Sequence, residues 1–194
     1  YMSMKINPLN AIDFYKADHR SQYPQGTEYV YSNLTPRAVH DANALIDFDN
    51  RVVFFGLQGF VKHFLIETWN QGFFLKPKQE VVATYKRRMD NSLGVDAIEM
   101  QHIEDLHDLG YLPIKIKALP EGSRVNLRVP MFTIINTNPK FFWLTNYLET
   151  VMSSEIWKSC TTATIAYQYK KLLTNFANRT GGSLDFVPVQ AHDF

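Results

Sequence analysis

The chain has 194 residues, a formal net charge of +1, and 45% hydrophobic and 14% aromatic residues. That apolar content can offset the entropy of ordering, which excludes an intrinsically disordered chain, and the near-neutral charge excludes a binder held to nucleic acid or a membrane surface by a basic excess. The single cysteine, Cys160, excludes an internal disulfide and fits a cytoplasmic protein, and no run approaches the roughly 20 apolar residues of a membrane helix.

Taken in order, Pro8 and Asn10 open a helix expected from Ala11 to Tyr23, which Pro24-Gln25-Gly26 ends. Thr27 to Leu34 alternates and is rich in Tyr and Val, so a strand is expected there, closed by Thr35-Pro36-Arg37. Ala38 to Asn50 is polar and reads as a loop or short helix. After the apolar run Val52 to Phe55, Gly56 opens a helix in which Leu57, Phe60, Val61 and Phe64 form one buried stripe. Further helices are expected from Pro77 to Asn91 and from Asp96 to Leu109, the latter stopped by Gly110.

The period then changes from helical to twofold. Ile114 and Ile116 alternate with Lys115 and Lys117. Val125, Leu127 and Val129 alternate with Arg124, Asn126 and Arg128, and Met131 to Asn136 reads as a further strand. Two helices, Phe141 to Trp157 and Thr161 to Asn178, lead to Gly181-Gly182 and a last strand beginning near Phe186. Segregated strands and helices predict an α+β fold: an N-terminal helix, then an antiparallel sheet flanked by helices. The polar and aromatic group Ala191 to Phe194 directly after a strand is what the start of an α/β barrel looks like. The expected organisation is therefore an N-terminal α+β domain over 1–182 and the first piece of a barrel over 183–194, with the chain as the front part of a longer enzyme.

Common local motifs are absent. There is no P-loop, dinucleotide fingerprint or zinc-type Cys/His spacing. His102 and His107 are five apart and share no helix face, so no metal site is expected. Cys160 has no activating neighbour and reads as a small core residue. Lys86-Arg87-Arg88 reads as a solvated helix face. Three places stand out. Asp13 to His19 is dense in polar and aromatic residues, with Tyr15, Asp18 and His19 on one helical face. Arg37 follows Pro36 at a strand end, where a guanidinium is a natural phosphate ligand. His192, Asp193 and Phe194 close the chain, and an aromatic there can stack on a flat heterocycle. Each also has a plain alternative: an amphipathic helix with surface pairs, a solvent-exposed Arg, and a chain end with no special role.

At these residues the chain resembles nicotinamide phosphoribosyltransferases. The resemblance is carried by Asp13 to Pro24, Val30 to Arg37, Phe54 to Gln58, Leu112 to Gly122, Phe132 to Pro139, Trp143 to Thr150 and His192 to Phe194, in that order and spacing. The sister family acting on nicotinate usually has Tyr-Gln where this chain has Tyr15-Lys16, and a Met at the position of His19, so Lys16 and His19 favour the nicotinamide type.

The resemblance implies a pentosyltransferase of NAD salvage that makes nicotinamide mononucleotide and pyrophosphate from nicotinamide and phosphoribosyl pyrophosphate. Phe194 matches the aromatic that stacks on one face of the nicotinamide ring, and Tyr15 the aromatic covering the other face from the second subunit of a homodimer. Asp13 belongs with them, Arg37 matches a phosphate contact, and His192, Asp193, Lys16 and His19 line the pocket. Mg2+ travelling with phosphoribosyl pyrophosphate and ATP as activator are implied for the whole enzyme. The family's phosphorylated histidine and most of its pyrophosphate-binding residues come later in sequence, so no catalytic residue is expected in this chain and the chain alone should be inactive. The alternatives are a nicotinate phosphoribosyltransferase and a non-catalytic binding or assembly module.

Overall fold

The computed structural model describes residues 6–37 and 48–190. The residues of the expected loop between 38 and 47, and His192, Asp193 and Phe194, lie outside the described residues. The fold is α+β. Strands β1 (Tyr31–Leu34), β3 (Ile114–Ala118) and β5 (Phe132–Asn136) form a sheet in the order β1-β5-β3, and β2 (Arg51–Val53) pairs antiparallel with β4 (Arg124–Asn126). Backbone bonds from Leu119 to Met131 and from Thr137 to Pro113 fix β3 and β5 as antiparallel.

Several boundaries differ from the sequence expectation, each for a local reason. The N-terminal segment is not one helix. It is a 3-10 turn over Phe14–Ala17 followed by α1 (His19–Gln22), because Asp13 is extended (ψ 132°) and Asp18 turns the chain between them. Only the second half of Thr27 to Leu34 is a strand. Val30 gives its N–H to Asn136 Oδ1 (2.8 Å) and its carbonyl to the Thr145 hydroxyl (3.1 Å), so side chains replace the ladder there. β4 stops at Asn126, because Arg128 takes φ 66° and Val129 N–H turns back to the Asn126 carbonyl.

The helix after Gly56 starts as α2 (Leu57–Phe60) and continues with π winding over Val61–Thr68 and Asn70–Phe74. The wider turn moves the buried stripe by one residue: Leu57, Phe60, Leu65, Trp69 and Phe73 are buried, whereas Val61 and Phe64 are half-buried. α3 (Lys78–Leu93) lies where expected. α4 (Gln101–Leu109) starts five residues later than read, because Asp90 and Asp96 both pair with Lys86 and Asp90 accepts the Asp96 N–H, locking 94–97 into a turn with Asp96 at φ 59°. The two expected last helices follow a short α5 (Leu144–Tyr147) as one long helix, α6 (Glu149–Thr180). Ser159, Thr161 and Thr164 bond back to the carbonyls of Glu155, Trp157 and Cys160, so their hydroxyls ride along the helix instead of capping a new one. The expected final strand near Phe186 is also overturned: Val187–Gln190 is a helical turn, α7. Among the described residues no helix is long and apolar enough to cross a membrane.

The chain divides into two compact units. One takes residues up to Ser32, Gln58–Lys117 and Ile134–Ser153; the other takes Asn33–Leu57, Ala118–Thr133 and the chain from Ser154 on. The core of the first is Leu9, Trp69, Phe73, Tyr85, Met89, Ile103, Leu106 and Leu144, each at most 1% exposed. In it the Tyr147 hydroxyl donates to the Leu9 carbonyl (2.6 Å) and is hydrogen-bonded to the Tyr85 hydroxyl (3.1 Å), so this buried phenol is satisfied. The core of the second holds Phe54 against Phe132 (centroids 6.4 Å apart), with Val125, Ile156 and Cys160. Burial pushes the Cys160 thiol up, as suits an inert core residue.

His102 and His107 belong to the packing of the first unit. His107 Nε2 bonds the Lys76 carbonyl (2.9 Å), and His102 lies edge-on to Trp143 (4.9 Å). Loss of water, and then the nearby Arg20 cation, lowers the His102 pKa from 6.5 to about 4. A histidine that resists protonation when folded stabilises the fold fully above its unfolded pKa, and that stability is lost as pH falls from 6.5 toward 4. The chain is therefore expected to lose about 2 kcal/mol between pH 7 and pH 5 from this group. Urea unfolding of the wild type and His102→Phe at both pH values reads it: the pH-dependent loss should shrink by that amount in the variant, and equal losses would contradict the assignment.

Candidate functional site

The strip from Asp13 to His19 is held by the segment Asn146 to Thr150, in the first unit. Asp commonly caps its own helix through its side chain. Asp13 does not. Its N–H instead donates to Thr150 Oγ (3.1 Å), and the Thr150 hydroxyl donates to Asp13 Oδ2 (2.9 Å). The Tyr15 hydroxyl donates to the same Oδ2 (3.3 Å). Tyr15 is 60% exposed and Phe14 beside it is also exposed, whereas Lys16 and Ala17 are buried. The tight 3-10 turn thus sends the aromatic rings outward while Lys16 reaches inward to an ion pair with Glu149.

The Tyr15 and His19 rings lie 5.0 Å apart, tilted by 49°. Asn146 Nδ2 donates to His19 Nδ1 (2.6 Å), which places the imidazole proton on Nε2. Slight desolvation raises the Tyr15 phenol pKa, and the Asp13 and Glu149 carboxylates push it the same way, so the ring presents a neutral face. Asp18 turns away to Ser21 and Gln22, whose hydrogen bonds lower its pKa.

The structure therefore brings together Asp13, Tyr15, Lys16 and His19. Arg37 is exposed in the second unit, on the extended stretch after β1, where the Pro36 carbonyl accepts the Arg128 N–H (2.7 Å). Asn146, Glu149 and Thr150 were not singled out from the sequence as site residues. Their signal was available: three polar side chains among the buried Leu144, Thr145, Tyr147 and Leu148. Among the described residues no group of three His, Cys, Asp or Glu side chains is placed to hold a metal ion. The site offers one exposed aromatic face edged by the Asp13 carboxyl group and the His19 imidazole. It can orient a flat heteroaromatic ring.

Residues 7–116, more than half of the chain, match the family model for the N-terminal domain of nicotinamide phosphoribosyltransferase. The chain belongs to the nicotinamide phosphoribosyltransferase family. A nicotinamide phosphoribosyltransferase from Acinetobacter baylyi is 69% identical over 193 residues, which cover 100% of this chain and 38% of that protein. One from Mycoplasma genitalium is 31% identical, covering 97% of this chain and 43% of its own length. The chain thus spans about two fifths of the length of these curated relatives. A crystal structure of human nicotinic acid phosphoribosyltransferase shares the fold, with a TM-score of 0.52 at 19% identity over 79% of this chain and 27% of that one.

Proposed function

We propose that this chain is the ring-binding front of a nicotinamide phosphoribosyltransferase. In the whole protein the pyridine nitrogen of nicotinamide attacks C1 of phosphoribosyl pyrophosphate. The new N–C1 bond forms as the C1–O bond to pyrophosphate breaks, the bonding electrons leave with pyrophosphate, and nicotinamide mononucleotide is released into NAD salvage. Magnesium arrives with the phosphoribosyl pyrophosphate substrate, and ATP acts as activator of the whole enzyme. The active protein is a cytoplasmic homodimer whose site is shared between subunits, with Arg37 as a phosphate contact.

The observation that carries this reading is the outward-facing Tyr15 ring, hydrogen-bonded at its hydroxyl to Asp13 and lying against the tilted His19 ring. Stacking on a flat, polarised ring orients it without demanding a charge. The described contacts of Asp13 use Oδ2, which leaves Oδ1 to accept from the carboxamide N–H of nicotinamide. The same carboxylate repels the carboxylate of nicotinate, so residue charge and base chemistry agree. Holding the ring ready for attack is the rate contribution these residues can make.

The test is a product assay. Full-length protein receives phosphoribosyl pyrophosphate, magnesium and either nicotinamide or nicotinate, with and without ATP, and mass spectrometry follows the mononucleotides. Nicotinamide is expected to be preferred by at least about 100-fold in kcat/KM, a floor well below the discrimination that a site built to hydrogen-bond its substrate reaches. The 194-residue chain alone is expected to give no product. Turnover with nicotinate only would move the protein to the sister activity, and none with either base would leave a non-catalytic module.

A further inference from the structure

We propose that Asn146 and Thr150 are positioning residues that preset the Tyr15 face for a flat, uncharged heteroaromatic base; this rests on the function proposed above. The two lie one helical turn apart and take hold of opposite ends of the same strip. Thr150 binds Asp13 twice, through the backbone N–H (3.1 Å) and through the carboxylate (2.9 Å). Asn146 binds His19 (2.6 Å). Tyr15 lies between, touching both held residues: its hydroxyl meets Asp13 (3.3 Å) and its ring meets His19 (5.0 Å).

The clamp has a rigid backing. Leu144, Thr145, Tyr147 and Leu148, on the other side of the same segment, are all at most 3% exposed. Tyr147 is pinned to Leu9 and Tyr85 by its hydroxyl. Lys16, buried under the strip, adds an ion pair to Glu149 between the two clamp residues. An exposed tyrosine would ordinarily sample several rotamers and lose that freedom on binding. Here the cost is met in advance by bonds to a fixed helix, as a supporting shell does for a binding group. Asn146 Nδ2 can only donate, so in the held geometry Nδ1 of His19 is the accepting ring nitrogen and the imidazole is fixed in its orientation beside Tyr15.

The experiment uses the full-length protein, with Thr150→Val, Thr150→Ser and Asn146→Leu, and reads kcat and KM for nicotinamide separately. Thr150→Val and Asn146→Leu are expected to raise KM by roughly 5- to 10-fold, the scale of one or two lost hydrogen bonds. They should leave kcat within about twofold, and Thr150→Ser should restore KM. KM unchanged in both variants, or kcat falling while KM holds, overturns the proposal. A second readout is independent of turnover. With 15N-labelled histidine, at a pH where the imidazole is neutral, His19 in the wild type is expected to show an unprotonated Nδ1 and a protonated Nε2, and Asn146→Leu should convert this to a tautomer mixture. Should the wild type make no mononucleotide, the functional reading fails separately. The clamp is then upheld by loss of the single tautomer in Asn146→Leu and overturned by its persistence.

Discussion

Replacing Tyr15 by alanine in the full-length protein is expected to raise KM for nicotinamide about 30-fold while leaving stability unchanged. Truncation removes the apolar face the base would cover and the ring–ring term, together about 2 kcal/mol. Tyr15→Phe keeps the ring but cuts its hydroxyl bond to Asp13, the link through which Thr150 holds it, so its KM should rise by no more than the roughly 5- to 10-fold expected for Thr150→Val. Because Tyr15 is 60% exposed, neither change opens a cavity, and the unfolding midpoint of both variants should match the wild type. Steady-state kinetics and urea unfolding on the same preparations separate a lost ring contact from a damaged fold. A 30-fold rise in Tyr15→Phe as well would show that the hydroxyl, not the ring, recognises the base.

The largest expected stability effect is at Gly56. Its φ is 100°, and an added Cβ would sit 2.5 Å from Ser159 Cβ and 2.7 Å from Ser159 Oγ. Ser159 cannot step aside easily, since its hydroxyl is bonded to the Glu155 carbonyl within α6. The neighbouring Phe55 is tied to the same helix, its N–H and carbonyl both 3.4 Å from Cys160 Sγ. Gly56→Ala thus combines backbone strain with a backbone–helix clash, and about 3–5 kcal/mol of destabilisation is expected. Gly110→Ala is the matched control. Its φ is 80°, but nothing lies within 4 Å of the added carbon, so only the conformational term of about 1 kcal/mol applies. Equal losses in the two variants by urea unfolding would show that the close approach of Gly56 to α6 contributes nothing.

Gly56 also illustrates what could be read without coordinates. As punctuation before an apolar helix it was legible, and so were Gly110 and Gly181, both at positive φ after a helix end. The steric reason at Gly56 was not, because it depends on Ser159, a hundred residues away in sequence. Periodicity located α3, β3 and β5, each read from one apolar stripe or from alternation. It misplaced the stripe after Gly56, since a 3.6-residue template cannot register π winding. It also divided α6 in two, whereas the Ser and Thr hydroxyls near 160 bond back to preceding carbonyls within one continuous helix. The run near Phe186 shows the limit of short apolar patterns: β-branched residues suggested a strand, and Val187–Gln190 is a helical turn.

The polar and aromatic residues from Asp13 to His19 do lie together as one strip, but with a local structure that differs from the helix expected there. A continuous helix would have set Asp18 beside Tyr15 and His19. The break at Asp13 and the turn at Asp18 instead pair Tyr15 with Asp13 and His19, and send Asp18 to Ser21 and Gln22. Asn146, Glu149 and Thr150 escaped notice as a group because spacing along one segment says nothing about which distant strip it holds.

The most direct test of the Tyr15 face is a crystal structure of the full-length protein with nicotinamide mononucleotide bound. The pyridine ring is expected against Tyr15, with ring centroids roughly 4.5–7 Å apart and the carboxamide turned toward Asp13. A pyridine ring seated elsewhere, with Tyr15 still facing water, would contradict the assignment of this face to the base.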